Sequence, residues 1–297
     1  MTFALKISIV ATLVEQRLAD HLSGRRGPSA PPEGLAEAMR YAVLGGGKRL
    51  RPFLLIESAG LFGVKTENAL DAAAALEMVH CYSLVHDDLP AMDDDDMRRG
   101  RASVHKAFDE ATAILAGDAL LTLAFEVLAS RQTHSDPAVR SELVLGLARA
   151  AGWTGMAGGQ ALDLAAEGQT LTADQIRQMQ AMKTGALIRF ACEAGAILGK
   201  ADPKARAALA AYGERLGSAY QLADDLLDEE GDTKQVGKRT GKDRAAGKAT
   251  LVSSFGPEKA RIHLKDLEED AVSALAPFAE RAATLVEAAQ FVTARDY

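Results

Sequence analysis

Apolar residues recur at helical spacing along most of this chain. Near the N-terminus, Val10, Val14, Leu18 and Leu22 follow one another four residues apart, which places them on one face of a helix. The apolar stretch before Glu15 is short, so a packed first helix explains the pattern better than a signal peptide does. Further helical patterns cover residues 35–44, 67–88, 107–130, 137–165, 173–198, 203–229 and 257–290.

Stretches rich in glycine, proline and polar residues separate these helices. Residues 24–34 and 231–248 are predicted to be loops, and the glycines at 45–47 end a helix. Because no linker, repeat or low-complexity segment divides the sequence, residues 1–297 are predicted to form one domain. The expected fold is an all-α bundle of about ten helices, and the core of such a bundle often holds a metal site.

Composition and charge narrow the classes of function. Alanine and leucine are abundant and aromatic residues make up only 5% of the 297 residues, which favours helices over strands. The net charge of −7 argues against a nucleic-acid partner. No uninterrupted apolar run reaches the ~20 residues that span a bilayer, so no stable membrane insertion is expected. Cys81 and Cys192 are expected to be buried thiols in a reducing cytoplasm.

A stripe of acidic residues marks the predicted helix at 203–229. Gln221, Asp224, Asp225 and Asp228 are spaced i, i+3, i+4 and i+7, so they share one helix face. Stacked carboxylates repel one another, and hard oxygen donors of this kind suit Mg²⁺ with its waters and substrate phosphates. The alternative is a solvated acidic surface.

Another acidic group, the first in chain order, closes the predicted helix at 67–88, so the stripe on the helix at 203–229 is the second acidic group. Asp87 and Asp88 end it, and Asp93–Asp96 follow in a turn just before Arg98 and Arg99. Carboxylates that hold a metal, followed by guanidinium groups that bind phosphate oxygens, suit a metal–diphosphate complex. The alternative is that the arginines only balance the acidic turn.

A basic motif follows the glycines at 45–47. Lys48 and Arg51 supply cations there, and the glycines permit close approach of a ligand to the backbone, so a diphosphate could bind without a metal. The spacing of a Walker loop is absent. Taken alone, this motif is better explained by a glycine helix cap followed by surface cations.

Taken in chain order, these segments resemble the trans-isoprenyl diphosphate synthase family. The resemblance spans about residues 35–255. It is carried by GGKRLRP at 46–52, HDDLPAMD at 86–93, RRG at 98–100, GQALD at 159–163, KTG at 183–185, QLADDLLD at 221–228, GK at 237–238 and GKAT at 247–250. The family implies the isoprenoid synthase fold around a deep central cavity, a homodimer, and transfer of prenyl groups between isoprenyl diphosphates.

The resemblance also implies roles at matching positions. About three Mg²⁺ ions, with Mn²⁺ as a substitute, would be held by two facing groups, namely Asp87, Asp88, Asp93, Asp224, Asp225 and Asp228. The allylic diphosphate would be bound by Arg98, Lys183, Lys238 and Lys248. Isopentenyl diphosphate would be bound by Gly47, Lys48, Arg51, His80 and Arg99. The residues expected to act in catalysis are Asp87, Asp88, Asp93, Lys183, Thr184, Gln221 and Asp224.

The implied reaction is ionisation, condensation and elimination. The allylic C–O bond breaks, isopentenyl diphosphate attacks the cation, and the released diphosphate takes the proton. Oxygens of Thr184 and Gln221 would lie near the developing cation, while Gln160 and Asp163 either contact metal-bound water or serve packing. Ser83 lies one helical turn before Asp87, and the bulkier Tyr82 lies beside it, five residues before Asp87. In the family a bulky aromatic residue there, with two extra residues before the last aspartate, goes with C15 products, so farnesyl diphosphate made from dimethylallyl or geranyl diphosphate is expected.

Three rivals share part of this pattern. A geranylgeranyl diphosphate synthase, with a C20 product, has every motif and differs only at the floor of the cavity. A class I terpene cyclase lacks the site at Lys48 and Arg51. A non-catalytic partner subunit of another synthase usually loses one aspartate motif, whereas this chain keeps both.

Overall fold

The computed structural model describes residues 1–23, 30–166, 168–230 and 250–294. Two compact units emerge from the contacts within the chain. The first comprises Met1–Ile56 and Lys65–Val144, and the second Glu57–Val64 and Leu145–Tyr297. The prediction that residues 1–297 form one domain stays a prediction.

The N-terminal half of the chain is helical apart from one small hairpin. Its helices are α1 Phe3–Leu22, α2 Glu33–Val43, α3 Leu50–Gly60, α4 Thr66–Asp87, α5 Val104–Ala107 and α6 Glu110–Ala129. The described ranges hold two strands, β1 Met97–Arg98 and β2 Arg101–Ala102, which pair antiparallel. Helix α1 buries Val10, Val14, Leu18 and Leu22, so the first helix is confirmed with its predicted core face.

Helix α4 forms the core of the first unit. It is buried on all sides through most of its length, for example at five consecutive residues from Ala72 to Leu76, as a central helix should be. It packs mainly against α6 and also against α1 and α2. The first acidic group lies at the C-terminal end of α4, where the helix becomes polar again.

Helix α6 is, by length and composition, the one helix in the described part of the chain that could cross a membrane. Its best 18-residue window has a mean hydropathy of 1.7, and 39% of that window is buried. The prediction from sequence found no such run because Asp118 and Glu126 interrupt it. Core helices of soluble proteins have the same composition, and α6 packs along α4.

The C-terminal half is also helical. Its α-helices are α7 Pro137–Ala151, α8 Met156–Ala165, α9 Ala173–Gln180, α10 Ala186–Leu198, α11 Pro203–Glu230, α12 Leu251–Phe255, α13 Pro257–Ala274 and α14 Ala283–Thr293. A π-helical segment, Ala181–Gly185, joins α9 to α10, and a 3₁₀ segment, Ala276–Ala282, precedes α14. The all-α class is confirmed, and the whole of the predicted loop 231–248 lies outside the described residues.

Three details differ from the helices predicted by periodicity. The pattern at 137–165 is two helices, because the chain turns at Gly152–Gly155. Helix α3 was not predicted, although Pro52 lies in its first turn, where a missing N–H costs nothing. Finally, residues 173–198 contain a π-helical turn, which a search for a repeat of 3.6 residues does not distinguish from continuous α-helix.

A buried ion pair fixes the basic motif to the core of the first unit. The Arg49 side chain is fully buried, and its Nη1 donates to Glu77 Oε1 at 2.7 Å. Its Nη2 donates to Glu15 Oε1 at 3.1 Å and to the Val43 carbonyl at 2.5 Å. Burial alone would lower the pKa of Arg49, but the Glu77 carboxylate outweighs that effect and holds the pKa above its ordinary value. Arg49 therefore stays charged and ties the start of α3 to α1 and α4.

We expect Arg49→Met to lower the free energy of unfolding by about 3–5 kcal/mol, because it leaves Glu77, 2% exposed, as an unpaired buried carboxylate. Urea unfolding followed by circular dichroism measures this loss. The control is Arg177→Met, which removes an exposed pair with Asp174 and should cost less than about 1 kcal/mol. Equal losses in the two variants would show that the buried pair stabilises the fold no more than an exposed pair does.

Candidate active site

The first acidic group lies on a turn that folds back onto the end of α4. Asp87 is the last residue of the helix and Asp88 follows it. The backbone N–H of Asp93 donates to the Asp87 carbonyl at 2.8 Å, and that of Asp95 donates to the Asp88 carbonyl at 3.2 Å. Asp93 is exposed, whereas Asp88 is 2% exposed. The turn thus brings together the three aspartates that the sequence pattern groups.

Asp88 is paired with an arginine of the hairpin. Arg98 Nε lies 3.0 Å and 3.2 Å from the two carboxylate oxygens of Asp88, and Arg98 Nη2 also donates to Asp88. Burial would lower the pKa of Arg98, but the hydrogen bond that Arg98 donates to Asp88, together with the negative charges of Asp88, Asp87 and Asp93, outweighs burial and raises the pKa. Arg98 Nη2 is also 3.5 Å from Asp95. The guanidinium predicted to bind phosphate oxygens is therefore held at the acidic group.

The next arginine joins the basic motif instead. Arg99 donates to the Gly46 carbonyl, and its guanidinium packs over Gly47, where a Cβ atom would lie 2.9 Å from Arg99 Cζ. Gly47 has φ of 122°, a backbone conformation that other residues rarely adopt, so the backbone favours glycine there. Because Arg98 and Arg99 are adjacent, the acidic group and the basic motif lie side by side.

His80 completes the basic motif. Arg51 Nη1 lies 3.4 Å from His80 Nε2. Burial and the nearby Arg51 guanidinium hold the pKa of His80 well below its ordinary value, so the imidazole is neutral at neutral pH. Lys48 is exposed in the same loop. The sequence pattern did not show how Arg99 joins this group, because α3, α4 and the acidic turn separate it from Arg51 along the chain. Arg51 and Arg99 thus place two guanidinium groups near the neutral His80, and such groups suit an anionic ligand.

Tyr82 lies on α4 one turn before the acidic group. Its ring meets the His86 ring edge to face, with centroids 5.7 Å apart. His86 Nε2 in turn lies 3.0 Å from the Ile114 carbonyl of α6. Burial, and secondarily the Asp87 carboxylate, raise the pKa of Tyr82, so the phenol stays neutral. This packing holds the tyrosine ring between the acidic end of α4 and its apolar core.

The second acidic group lies on α11 in the second unit, and its members are not equivalent. Asp224 is exposed and Asp228 is half-buried, but Asp225 is only 5% exposed. Asp225 Oδ1 accepts a hydrogen bond from Gln221 Nε2, and Oδ2 accepts one from Gln180 Nε2, both at 2.8 Å. Amide donors therefore hold both oxygens of Asp225.

A π-helical turn carries two of the predicted catalytic residues. Lys183 Nζ lies 2.6 Å from Asp163 Oδ2, and Thr184 Oγ1 donates to Gln221 Oε1 at 2.8 Å. A Cβ atom at Gly159 would lie 2.2 Å from Lys183 N, so glycine lets α8 approach this turn. Single π-turns inside helices occur often at functional sites.

Two amide side chains in this region stand out. Both amide atoms of Gln160 are buried and have no hydrogen-bond partner among the described residues. Gln180 was not predicted as a site residue, because a glutamine inside a helical pattern carries no signal for a buried contact 45 residues away. Lys238 and Lys248 lie outside the described residues, so their predicted roles stay predictions.

We expect Gln180→Ala to lower the free energy of unfolding by about 1.5–3 kcal/mol, because the nearly buried Asp225 carboxylate loses a hydrogen bond. Chemical denaturation measures the difference. Gln178→Ala, two residues earlier on an exposed face of α9, is the matched control and should change stability by less than about 0.5 kcal/mol. If the two variants unfold alike, the bond from Gln180 does not hold Asp225.

The structure described above is an all-α protein with two acidic groups and a basic motif, and comparison with known proteins identifies its family. Residues 32–279 match the polyprenyl synthetase family, so the chain belongs to that family. It is 49% identical to the farnesyl diphosphate synthase of Escherichia coli over 83% of each chain. It is 39% identical to that of Geobacillus stearothermophilus, over 96% of this chain and 95% of the relative.

A solved structure agrees with the sequence comparisons. The crystal structure of an FPP/GFPP synthase from Zymomonas mobilis superposes with a TM-score of 0.87 at 44% identity, covering 98% of this chain and 99% of that one. The predictions of the isoprenoid synthase fold and of a prenyltransferase are thereby confirmed. The roles of individual site residues stay predictions.

Proposed function

We propose that this chain condenses isopentenyl diphosphate with dimethylallyl or geranyl diphosphate, head to tail, to give farnesyl diphosphate. The observation that carries the proposal is the placement of Arg98 and Arg99. The Arg98 guanidinium lies at the acidic turn, and the Arg99 guanidinium lies at the basic motif, where a diphosphate could bind without a metal. The reaction needs two diphosphates bound close together. The acidic group suits a diphosphate that is bound through metal ions, and the neighbouring cationic group suits a diphosphate that is bound directly. The names of the relatives support the C15 product.

Mg²⁺ is the proposed metal, and the residues present fit it. Magnesium prefers oxygen ligands and keeps several waters, which requires carboxylates that solvent reaches. Asp93 and Asp224 are exposed and Asp87 and Asp228 are half-buried, so all four meet that requirement. Asp88 and Asp225 are buried and hydrogen-bonded to Arg98 and to amides, which suits them to orienting metal-bound water. Bound Mg²⁺ would neutralise the departing diphosphate.

The chain's own residues would act on both substrates. Arg51, Arg99 and the neutral imidazole of His80 bind isopentenyl diphosphate and fix its double bond in place. Arg98, which Asp88 orients, would bind the allylic diphosphate. Preorganised cations of this kind stabilise the charge that develops on the leaving group as the allylic C–O bond breaks and its electron pair departs with the diphosphate.

The oxygens of the π-turn would face the carbocation. The Thr184 hydroxyl donates a hydrogen bond to Gln221 Oε1. The lone pairs of the hydroxyl oxygen are therefore available to interact with positive charge. The double bond of isopentenyl diphosphate then forms the new C–C bond, and the released diphosphate removes a proton to restore a double bond. Water must be excluded during these steps because it would trap the cation.

We also propose that the protein works as a homodimer in the cytoplasm. Two large apolar side chains of α6, Ile114 and Leu115, are 44% and 57% exposed, and a second copy would cover them. Cys81 and Cys192 are buried free thiols, and burial raises the pKa of Cys81 to about 11, as expected for inert cysteines in a reducing compartment.

Incorporation of labelled isopentenyl diphosphate into prenyl products tests the proposed activity. Purified protein should form product from geranyl diphosphate with Mg²⁺ and none after removal of divalent ions. Isopentenyl diphosphate alone should not react, since it has no allylic bond to ionise. A protein that is folded but forms no product with any allylic partner would instead be a non-catalytic subunit.

A further inference from the structure

A third group of possible metal ligands lies apart from the residues assigned above. Asp94 and Asp96 belong to the acidic turn, and His105 lies on the short helix α5. One ligand atom from each lies within 4.8 Å of the other two. The backbone brings these segments together, because Ser103 N donates to the Asp96 carbonyl at 2.9 Å. The sequence pattern did not indicate this group, since the hairpin separates its members.

The buried histidine distinguishes this group from an ordinary acidic surface. His105 is 6% exposed, and its Nδ1 lies 3.2 Å from Ser103 Oγ. Its Nε2 is buried and has no hydrogen-bond partner anywhere in the described ranges. A buried nitrogen left without a partner costs free energy, which binding of a cation would offset. Contact with Ser103 resembles the outer contact that orients a histidine ligand toward its metal.

The ligand set selects the kind of ion. Two carboxylates and an imidazole suit a divalent transition metal such as Mn²⁺ or Zn²⁺, whereas Mg²⁺ and Ca²⁺ prefer oxygen alone. With metal–ligand distances of about 2.0–2.2 Å, ligand atoms lie at most about 4.4 Å apart across the ion. Asp94 and Asp96 are exposed, so a small side-chain rotation brings their oxygens within that limit.

Lys106 is the competing cation at this group. Its Nζ lies 3.0 Å from Asp96 Oδ1, and the hydrogen bond with that carboxylate raises the pKa of Lys106. The Lys106 side chain is 44% exposed, so it is free to swing into solvent when an ion takes its place. The metal would therefore displace a surface ion pair, which contributes little to stability.

We propose that Asp94, Asp96 and His105 form a site for a divalent transition-metal ion, separate from the aspartates assigned to Mg²⁺. The ion would link the acidic turn to α5 and so fix both ends of the hairpin that carries Arg98 and Arg99. This site does not depend on the proposed reaction, because it needs no diphosphate.

Pulsed electron paramagnetic resonance of Mn²⁺ added to the full-length protein without substrate tests the site. The aspartates assigned to Mg²⁺ offer only oxygen ligands, so Mn²⁺ bound there should show no coupling to nitrogen. Mn²⁺ bound at the proposed site should show coupling to the imidazole ¹⁴N of His105. Asp94→Asn should lose that coupling and retain one Mn²⁺ fewer per chain in equilibrium dialysis. Asp95→Asn is the matched control, because it removes the same charge from the adjacent residue and should keep both signals.

Three results would overturn the proposal. One is the absence of nitrogen coupling in the wild-type protein, and another is coupling that persists in Asp94→Asn. The third is equal loss in Asp94→Asn and Asp95→Asn, which would reflect only the total charge of the turn. His105→Asn, should it fold, must lose the coupling as well. Product formation measured on the same samples reports separately on prenyl transfer.

Discussion

Replacing Asp224 by asparagine is expected to lower kcat by about a thousand-fold while leaving the fold intact. The exposed carboxylate is proposed to hold metal against a departing diphosphate, and asparagine cannot supply the negative charge that binds the ion. Losing one preorganised electrostatic contact to a transition state costs about a hundred- to a thousand-fold in rate. Because Asp224 is exposed, the free energy of unfolding should change by less than about 0.5 kcal/mol.

The control for this variant lies on the same helix. Glu214→Gln removes one negative charge from an exposed residue of α11 three turns earlier. Its steady-state kinetics with geranyl diphosphate should match the wild type within about two-fold. If Asp224→Asn kept wild-type turnover, or if both variants lost it equally, the second acidic group would not hold catalytic metal.

The second large effect concerns the length of the product. We expect Tyr82→Ala to shift the main product from C15 to C20. Tyr82 is five residues before Asp87, about 7.5 Å along α4, so its ring would meet a chain growing inward from the diphosphate. Removing the ring opens space there, and a further condensation becomes possible. Chromatography of the products with excess isopentenyl diphosphate measures the shift.

Tyr82→Phe separates the size of the ring from its hydroxyl group. The phenylalanine ring fills the same space and keeps the edge-to-face contact with His86, so the product should remain C15. A wild-type protein that already makes C20, or a Tyr82→Ala variant that still stops at C15, would show that another residue limits the chain. The first of these results would also favour the geranylgeranyl alternative.

The sequence was most informative where one helix carries its own signal. The stripe at Gln221, Asp224, Asp225 and Asp228 is visible because a repeat of 3.6 residues defines one face. The difference in environment between Asp224 and Asp225 was not visible, because burial of Asp225 depends on Gln180, which comes from another helix. Periodicity indicates a shared face but not which member of that face packs inward.

Contacts formed by turns also could not be predicted from the sequence pattern. The backbone bond from Asp93 to Asp87 closes the acidic turn, and neither residue type requires that geometry. The same holds for Arg98 and Arg99, which were predicted to bind different diphosphates without any indication that one pairs with Asp88. The prediction that the two acidic groups face each other stays a prediction from the sequence.

Mass analysis of the products of the purified protein tests the central claim most directly. Dimethylallyl or geranyl diphosphate, isopentenyl diphosphate and Mg²⁺ should together yield farnesyl diphosphate and one inorganic diphosphate for each bond formed. No condensation product in the presence of Mg²⁺, or release of diphosphate with only hydrolysed or cyclised alcohols and hydrocarbons, would contradict the account.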